Sequence, residues 1–154
     1  MAATTKAQDS RTGYNFLRLP VSAHAAALGG DNISILDDNE PTIFNNPALI
    51  LSSVSDKTIN LNYMNYMSGA NTASASFNRI IKERASVAAS AQFVDYGKMK
   101  ETDENNIQTG EFSAKDISIA GYFSYMLTDS LAGGITAKFI TSYIGEYNSI
   151  AMGV

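Results

Sequence analysis

Long stretches of this chain alternate strictly between apolar and small polar side chains, and that period of two is what most restricts the fold. Successive side chains of a strand point to opposite faces, whereas a helix repeats every 3.6 residues. In "ASVAASAQFVDY", Val87, Ala89, Ala91 and Phe93 point one way, and Ser86, Ala88, Ser90 and Gln92 point the other. "DISIAGYFSYML" sets Ile117, Ile119, Gly121, Phe123 and Tyr125 against Ser118, Ala120, Tyr122 and Ser124. "GGITAKFITSY" opposes Ile135, Ala137 and Phe139 to Thr136 and Lys138, and weaker alternation runs through "TINLNYMNYM" and "TASASFNRI". The pattern predicts strands near 58–67, 71–80, 85–96, 111–127 and 132–144, with a sixth beginning at Tyr147. Gly69, "IKERA" and "LTDSL" make brief connections, while "KMKETDENNIQTGE" reads as a long charged excursion. The expected fold class over 57–154 is all-β, an antiparallel up-and-down meander.

Residues 14–56 carry helix punctuation instead. "VSAHAAALGG" offers Ser22 as N-cap, Ala23 to Leu28 as helix, and Gly29 where a left-handed residue ends it. "NNPALILSS" repeats the logic, with Asn46 as N-cap and Pro47 at the first helical position, where its missing N–H is not needed. At 1–13, "MAATTKAQ" has Thr5 and Ala7 before Gln8, as at the cleavage end of a secretory signal. It reads as the remnant of a signal whose apolar part lies upstream of Met1, or as an ordinary disordered tail.

Catalysis finds no candidates. There is one histidine, His24, in the Ala-rich helix without an acidic partner within a turn, so it reads as a packing or surface residue. The chain has no cysteine, which excludes a disulfide framework, a thiolate metal site and a Cys nucleophile. Asp37 and Asp38 are adjacent, and in a loop such carboxylates bond backbone amides more readily than they do acid–base work. "ALGGDN" lacks a phosphate-loop frame. Asp103, Glu104 and Asn105 supply hard oxygen atoms but not the spacing of a calcium loop. A net charge of −4, with no basic cluster, gives nucleic acid no footprint. The expectation is a non-enzyme with no cofactor and no metal.

Only 17% of residues are charged, which suits strands whose polar faces are neutral. The predicted strands exceed the five to six residues usual in globular proteins. A transmembrane barrel needs segments of about ten alternating residues. A soluble barrel carrier would want one face dense in large apolar residues, whereas these faces hold many Ala, Gly and Ser. Tyr63, Tyr66, Tyr96, Tyr122, Tyr125, Tyr143 and Tyr147 recur near strand ends, either as an interfacial girdle or because tyrosine suits strands. The charge run Lys98 to Glu104 reads as a solvated loop.

The segment "NFLRLPVSAHAAALGGDNISILDDNEPTIFNNPALI" resembles the start of mature FadL-like outer-membrane barrels, where "ALGG", an acidic pair and "NPA" precede the first strand. "LPVSAHAAALGG", "FNNPAL", "LNYMNYM" and "DYGKMKETDENNIQTGEFSAKD" are more closely similar to the PorV-related barrels of the Bacteroidetes type IX secretion system. The likeness runs from about Tyr14 to the last residue. It implies that 14–56 is a hatch-like segment, in which Gly29 and Gly30 let the backbone turn and Asn45, Asn46 and Pro47 launch the first strand. Asp37 and Asp38 would then be turn or lumen residues. It implies an outer-membrane location in a Gram-negative bacterium and contact with outer-membrane lipid. The implied role is to hold a PorZ-like surface protein of the cargo attachment complex, alongside PorU-like and PorV-like components. Partner contact would fall on the excursion from Lys98 to Phe112, through Lys98, Lys100, Glu101, Asp103 and Glu104, because longer loops face outward. Family barrels have roughly fourteen strands, so the resemblance makes these residues an amino-terminal part of one. The wider FadL likeness also permits a channel for hydrophobic small molecules.

Overall fold

A computed structural model describes residues 13–30, 33–34, 45–51, 56–65, 69–102 and 108–154. The alternating stretches form β1 Ile59–Asn65, β2 Asn71–Lys82, β3 Ala85–Thr102, β4 Gln108–Thr128, β5 Leu131–Ile144 and β6 Tyr147–Gly153. Each strand pairs antiparallel with the next, giving one six-stranded sheet in chain order. The expected all-β meander is the observed fold.

Register sorts the side chains into transverse rows. Leu61, Ala75, Ala91, Ile119, Phe139 and Met152 lie side by side, and the next row is Asn62, Ser74, Gln92, Ser118, Ile140 and Ala151. The two rows have opposite environments. Leu61 is 75% exposed and Ile119 55%, whereas Ser74, Gln92 and Ser118 are 6%, 4% and 5% exposed. Across β2, β3 and β4 the covered face is Thr72, Ser74, Ser76 and Asn78, then Ser86, Ser90 and Gln92, then Asp116, Ser118 and Ser124. The open face carries Phe77, Phe93, Ile119, Phe123 and Tyr125. The polarity is inverted relative to a protein folded in water, where the large apolar side chains are the ones hidden.

The amino-terminal segment is what covers the polar face. Its first part holds a 3-10 turn, Asn15–Arg18, and a short helix α1, Ala23–Ala27. Ser22 caps α1 as expected, its Oγ accepting from the Ala25 N–H at 2.9 Å. The helix stops because Gly29 and Gly30 take φ of 100° and 107°. Their N–H groups donate back to the carbonyls of Ala26 and Ala25, a Schellman closure that a side chain at Gly29 would strain. A second 3-10 turn, Pro47–Leu51, forms at "NNPALIL". Asn46 opens it, its Oδ1 accepting from the Ala48 N–H at 3.1 Å.

Two expectations are corrected. The excursion after Tyr96 is not a loop through Glu104, because Lys98–Thr102 pair with Ser113–Gln108 and lengthen the hairpin. The physical reason is a bulge at Tyr96–Gly97, with Gly97 at φ 73°, which shifts the register by one residue. Beyond it Lys98 and Lys100 share a face with Ser113 and Glu111, and Met99 and Phe112 share the other. Lys98 and Glu111 pair at 3.3 Å. Asp103 and Glu104 lie outside the described residues, as do Asp37, Asp38, Tyr66 and residues 1–12. The tyrosines also do not form one set. Tyr63, Tyr125 and Tyr143 are on the open face, while Tyr96 and Tyr122 have the parity of the covered one, where hydroxyl partners are available.

Candidate functional site

The covered face of the sheet and the hairpin arm rising from it are where this molecule concentrates specific contacts. At the Glu83–Arg84 and Asp129–Ser130 end, the Pro47–Leu51 turn is pressed against β3, β4 and β5. Ile50 is fully buried with Ala88, Ala120 and Tyr122, and the Tyr122 hydroxyl bonds Ser90 Oγ at 2.9 Å. The Ser124 hydroxyl donates to the Ala48 carbonyl at 3.3 Å. Backbone meets backbone at Gly134, where an added Cβ would stand 2.7 Å from Ala48 N and 2.8 Å from Pro47 C. Gly134→Ala is therefore expected to cost about 1–3 kcal/mol through forced displacement. Faster hydrogen exchange at the Ala48 and Leu49 amides, with β3–β4 exchange unchanged, is the expected readout.

Toward the other end, Phe16 packs against Val94 and Ile140, with Tyr14, Leu17 and Leu19 around it. The Val21 carbonyl accepts from Ser74 Oγ at 3.2 Å. Tyr14 and Ser149 hydroxyls meet at 2.8 Å. Between this part and the sheet lie two cavities of about 320 and 290 Å³ that share Thr72, one lined by Phe16, Leu19 and Val94, the other by Val21, Ala26 and Met64.

Above Phe16 the covered face holds a carboxylate. Asp116 is 8% exposed, and its two oxygens accept from the Tyr96 hydroxyl at 2.8 Å and from the Ser142 hydroxyl. Three neighbouring strands thus converge on one charge. None of the ion pairs among the described residues includes Asp116: they join Arg84 to Asp129, Lys98 to Glu111 and Lys115 to Asp95. Asp116 floors a cleft of about 320 Å³ whose walls include Met99, Phe112, Ala114 and Ile144.

Of the residues singled out in the sequence, Gly29, Gly30, Asn46 and Pro47 shape the covering segment, Asn45 is an exposed turn residue, and Lys98, Lys100 and Glu101 stand on the arm. Asp116, Tyr96 and Ser142 as a cluster, and Gly134, were not legible as sites. The available signal for Asp116 was parity, since it shares the face of Ser118 and Ser124 and so carries a charge where its neighbours are neutral. Among the described residues, no group of His, Asp and Glu is placed to hold a metal, and no helix is long and apolar enough to cross a membrane. Neither a protein-family model nor a curated protein matches the chain.

Proposed function

We propose that this chain is wall and stopper of an outer-membrane β-barrel, and that it acts without catalysis by holding a partner at the cell surface. The observation that carries the reading is the inverted polarity of the sheet. Each Å² of apolar surface left in water forgoes about 25 cal/mol, and hydrocarbon removes that penalty. On β4 the open face from Ile117 to Leu127 is Ile, Ile, Gly, Phe, Tyr and Leu, bounded by Lys115 and Asp129. Ten residue steps at about 3.4 Å span about 34 Å, or about 24 Å when tilted by about 45°, which matches the apolar band of such barrels.

The turns support the same tilt. Arg84 lies opposite Met126, whose N–H it accepts, but the next turn at that end comes only at Asp129. Stepping of this kind is what strand shear in a barrel requires. It also accounts for Arg79, which faces outward but sits as far from its turn as Tyr125 does from Asp129, at the depth of an aromatic girdle. The hydroxyls of Thr72, Ser76 and Ser86 and the Gln92 amide nitrogen are buried without a protein partner. In a dry core each would cost about 1–3 kcal/mol, and a wet lumen relieves that cost.

The particular assignment we propose is a PorQ-type component of the type IX secretion system, in the outer membrane of a Gram-negative bacterium of the Bacteroidetes. Its support is the sequence resemblance together with an arm whose outward face turns from apolar to charged at the Asp95–Lys115 row and stays charged through Lys98, Lys100 and Glu111. The partner is a PorZ-like surface protein, with PorU-like and PorV-like proteins in the same complex. Deleting residues 99–108 from the full-length gene product is expected to release that protein from the membrane fraction while the barrel stays inserted. Retention of the partner would contradict the assignment. A second reading, a channel for hydrophobic small molecules, draws on the largely apolar cavity beside Phe16, Leu19 and Val94. It predicts uptake that is lost when the cavity is filled by Ala70→Phe.

A further inference from the structure

We propose that the cleft under the β3–β4 arm is a socket for one lysine or arginine side chain of the extracellular partner, with Asp116 as its counter-ion. The inference rests on the surface-holding reading above and gives it a point of contact. A carboxylate taken out of water needs a cation or several hydrogen bonds, since an unpaired buried charge is costly. Asp116 has two hydroxyl donors against about four acceptor positions. The ion pairs at this level leave it out: Lys115 faces outward to Asp95 at 3.9 Å, and Lys98 faces outward to Glu111. The inward lysine of β5, Lys138, is four residues from Ser142, about 13 Å along the strand.

The walls fit the rest of such a side chain. Met99, Phe112 and Ile144 provide an apolar channel above the carboxylate, as the methylene stem of a lysine or arginine requires. The Gly97 bulge creates this channel by turning Met99 inward while Lys98 and Lys100 turn outward. Tyr96 and Ser142 hold the carboxylate from two sides, so its remaining lone pairs are presented in a fixed direction. Arginine is the better match of the two cations, because its planar fork suits a positioned carboxylate.

The test uses the full-length protein in detergent micelles with ¹³C-labelled methionine methyl groups, the Met99 signal being assigned by Met99→Leu. The probe is acetyl-Gly-Arg-Gly-amide, compared with the same peptide carrying citrulline. The expected result is a saturable shift of the Met99 signal with the arginine peptide, at least tenfold weaker with citrulline and at least tenfold weaker in Asp116→Asn. An unmoved signal, or equal shifts with both peptides or in both proteins, would overturn the proposal. So would the same saturable shift with sodium or calcium chloride alone, which would make the cleft a free-cation site. If Asp116→Asn does not fold, Phe112→Ala replaces it, leaving the charge and removing a wall. It should weaken the arginine response several-fold, and an unchanged response would count against the socket. Failure of the membrane reading would show itself separately, as a protein that stays in the aqueous fraction without detergent.

Discussion

Gly121→Lys is expected to destabilise the membrane-inserted protein by about 2–4 kcal/mol, the cost of a lysine near the bilayer midplane on the lipid face of a barrel. Gly121 lies near the centre of the band from Ile117 to Leu127, and a Cβ added there meets no heavy atom within 4 Å. The substitution thus removes no packing and forces no clash, so its effect reports the surrounding medium. In water the same change on an open sheet face would fall within about ±0.5 kcal/mol. Gly121→Leu, which adds an apolar side chain at the same point, should be neutral or slightly stabilising. Urea unfolding of the full-length protein in phospholipid vesicles separates these outcomes. A Gly121→Lys protein as stable as the parent would remove the lipid from the account.

The second large effect is expected at Ile50. Its side chain is fully buried among Ala88, Ala120 and Tyr122, and truncation to alanine in such a setting costs about 2–5 kcal/mol. The loss should fall on the covering segment and not on the sheet, because β3 and β4 are held to each other by a ladder from Ala85↔Tyr125 to Thr102↔Gln108. Limited proteolysis of Ile50→Ala is therefore expected to cut between the two 3-10 turns at a higher rate, with the strands uncut. Cleavage at the parent rate would mean that Ile50 does not anchor the segment. Ile50 and Gly134 secure the turn on β3, β4 and β5 at one end of the covering segment while Phe16 secures the other, an attachment in keeping with the holding role proposed above.

Period two was readable because each of β2, β3 and β4 keeps its parity over many residues, and "ASVAASAQFVDY" and "DISIAGYFSYML" reach the structure with both faces as predicted. The caps of α1 and of the Pro47–Leu51 turn were readable because capping is local: Ser22, Gly29, Gly30 and Asn46 act within a few residues of themselves. The arm was not. Its alternation on β3 is interrupted by the Gly97 bulge, so Met99 loses phase with Phe93 and joins Phe112 on the covered face, and the charges around them imitate a loop. Gly134 is a notch for Ala48, a contact between residues far apart in the chain. The Asp116 cluster is likewise three strands meeting across the sheet, which only register brings together.

These 154 residues contain no cysteine, so a single cysteine placed along β4 is the one spin-labelling site they carry. A scan from Ile117 to Tyr125 in lipid vesicles, comparing collisions with oxygen and with a water-soluble nickel chelate, reads the medium at each position. Labels at 117, 119, 121, 123 and 125 should favour oxygen, and those at 118, 120, 122 and 124 should be shielded from it. Preferential collision of the odd-numbered labels with nickel would place that face in water and contradict the account.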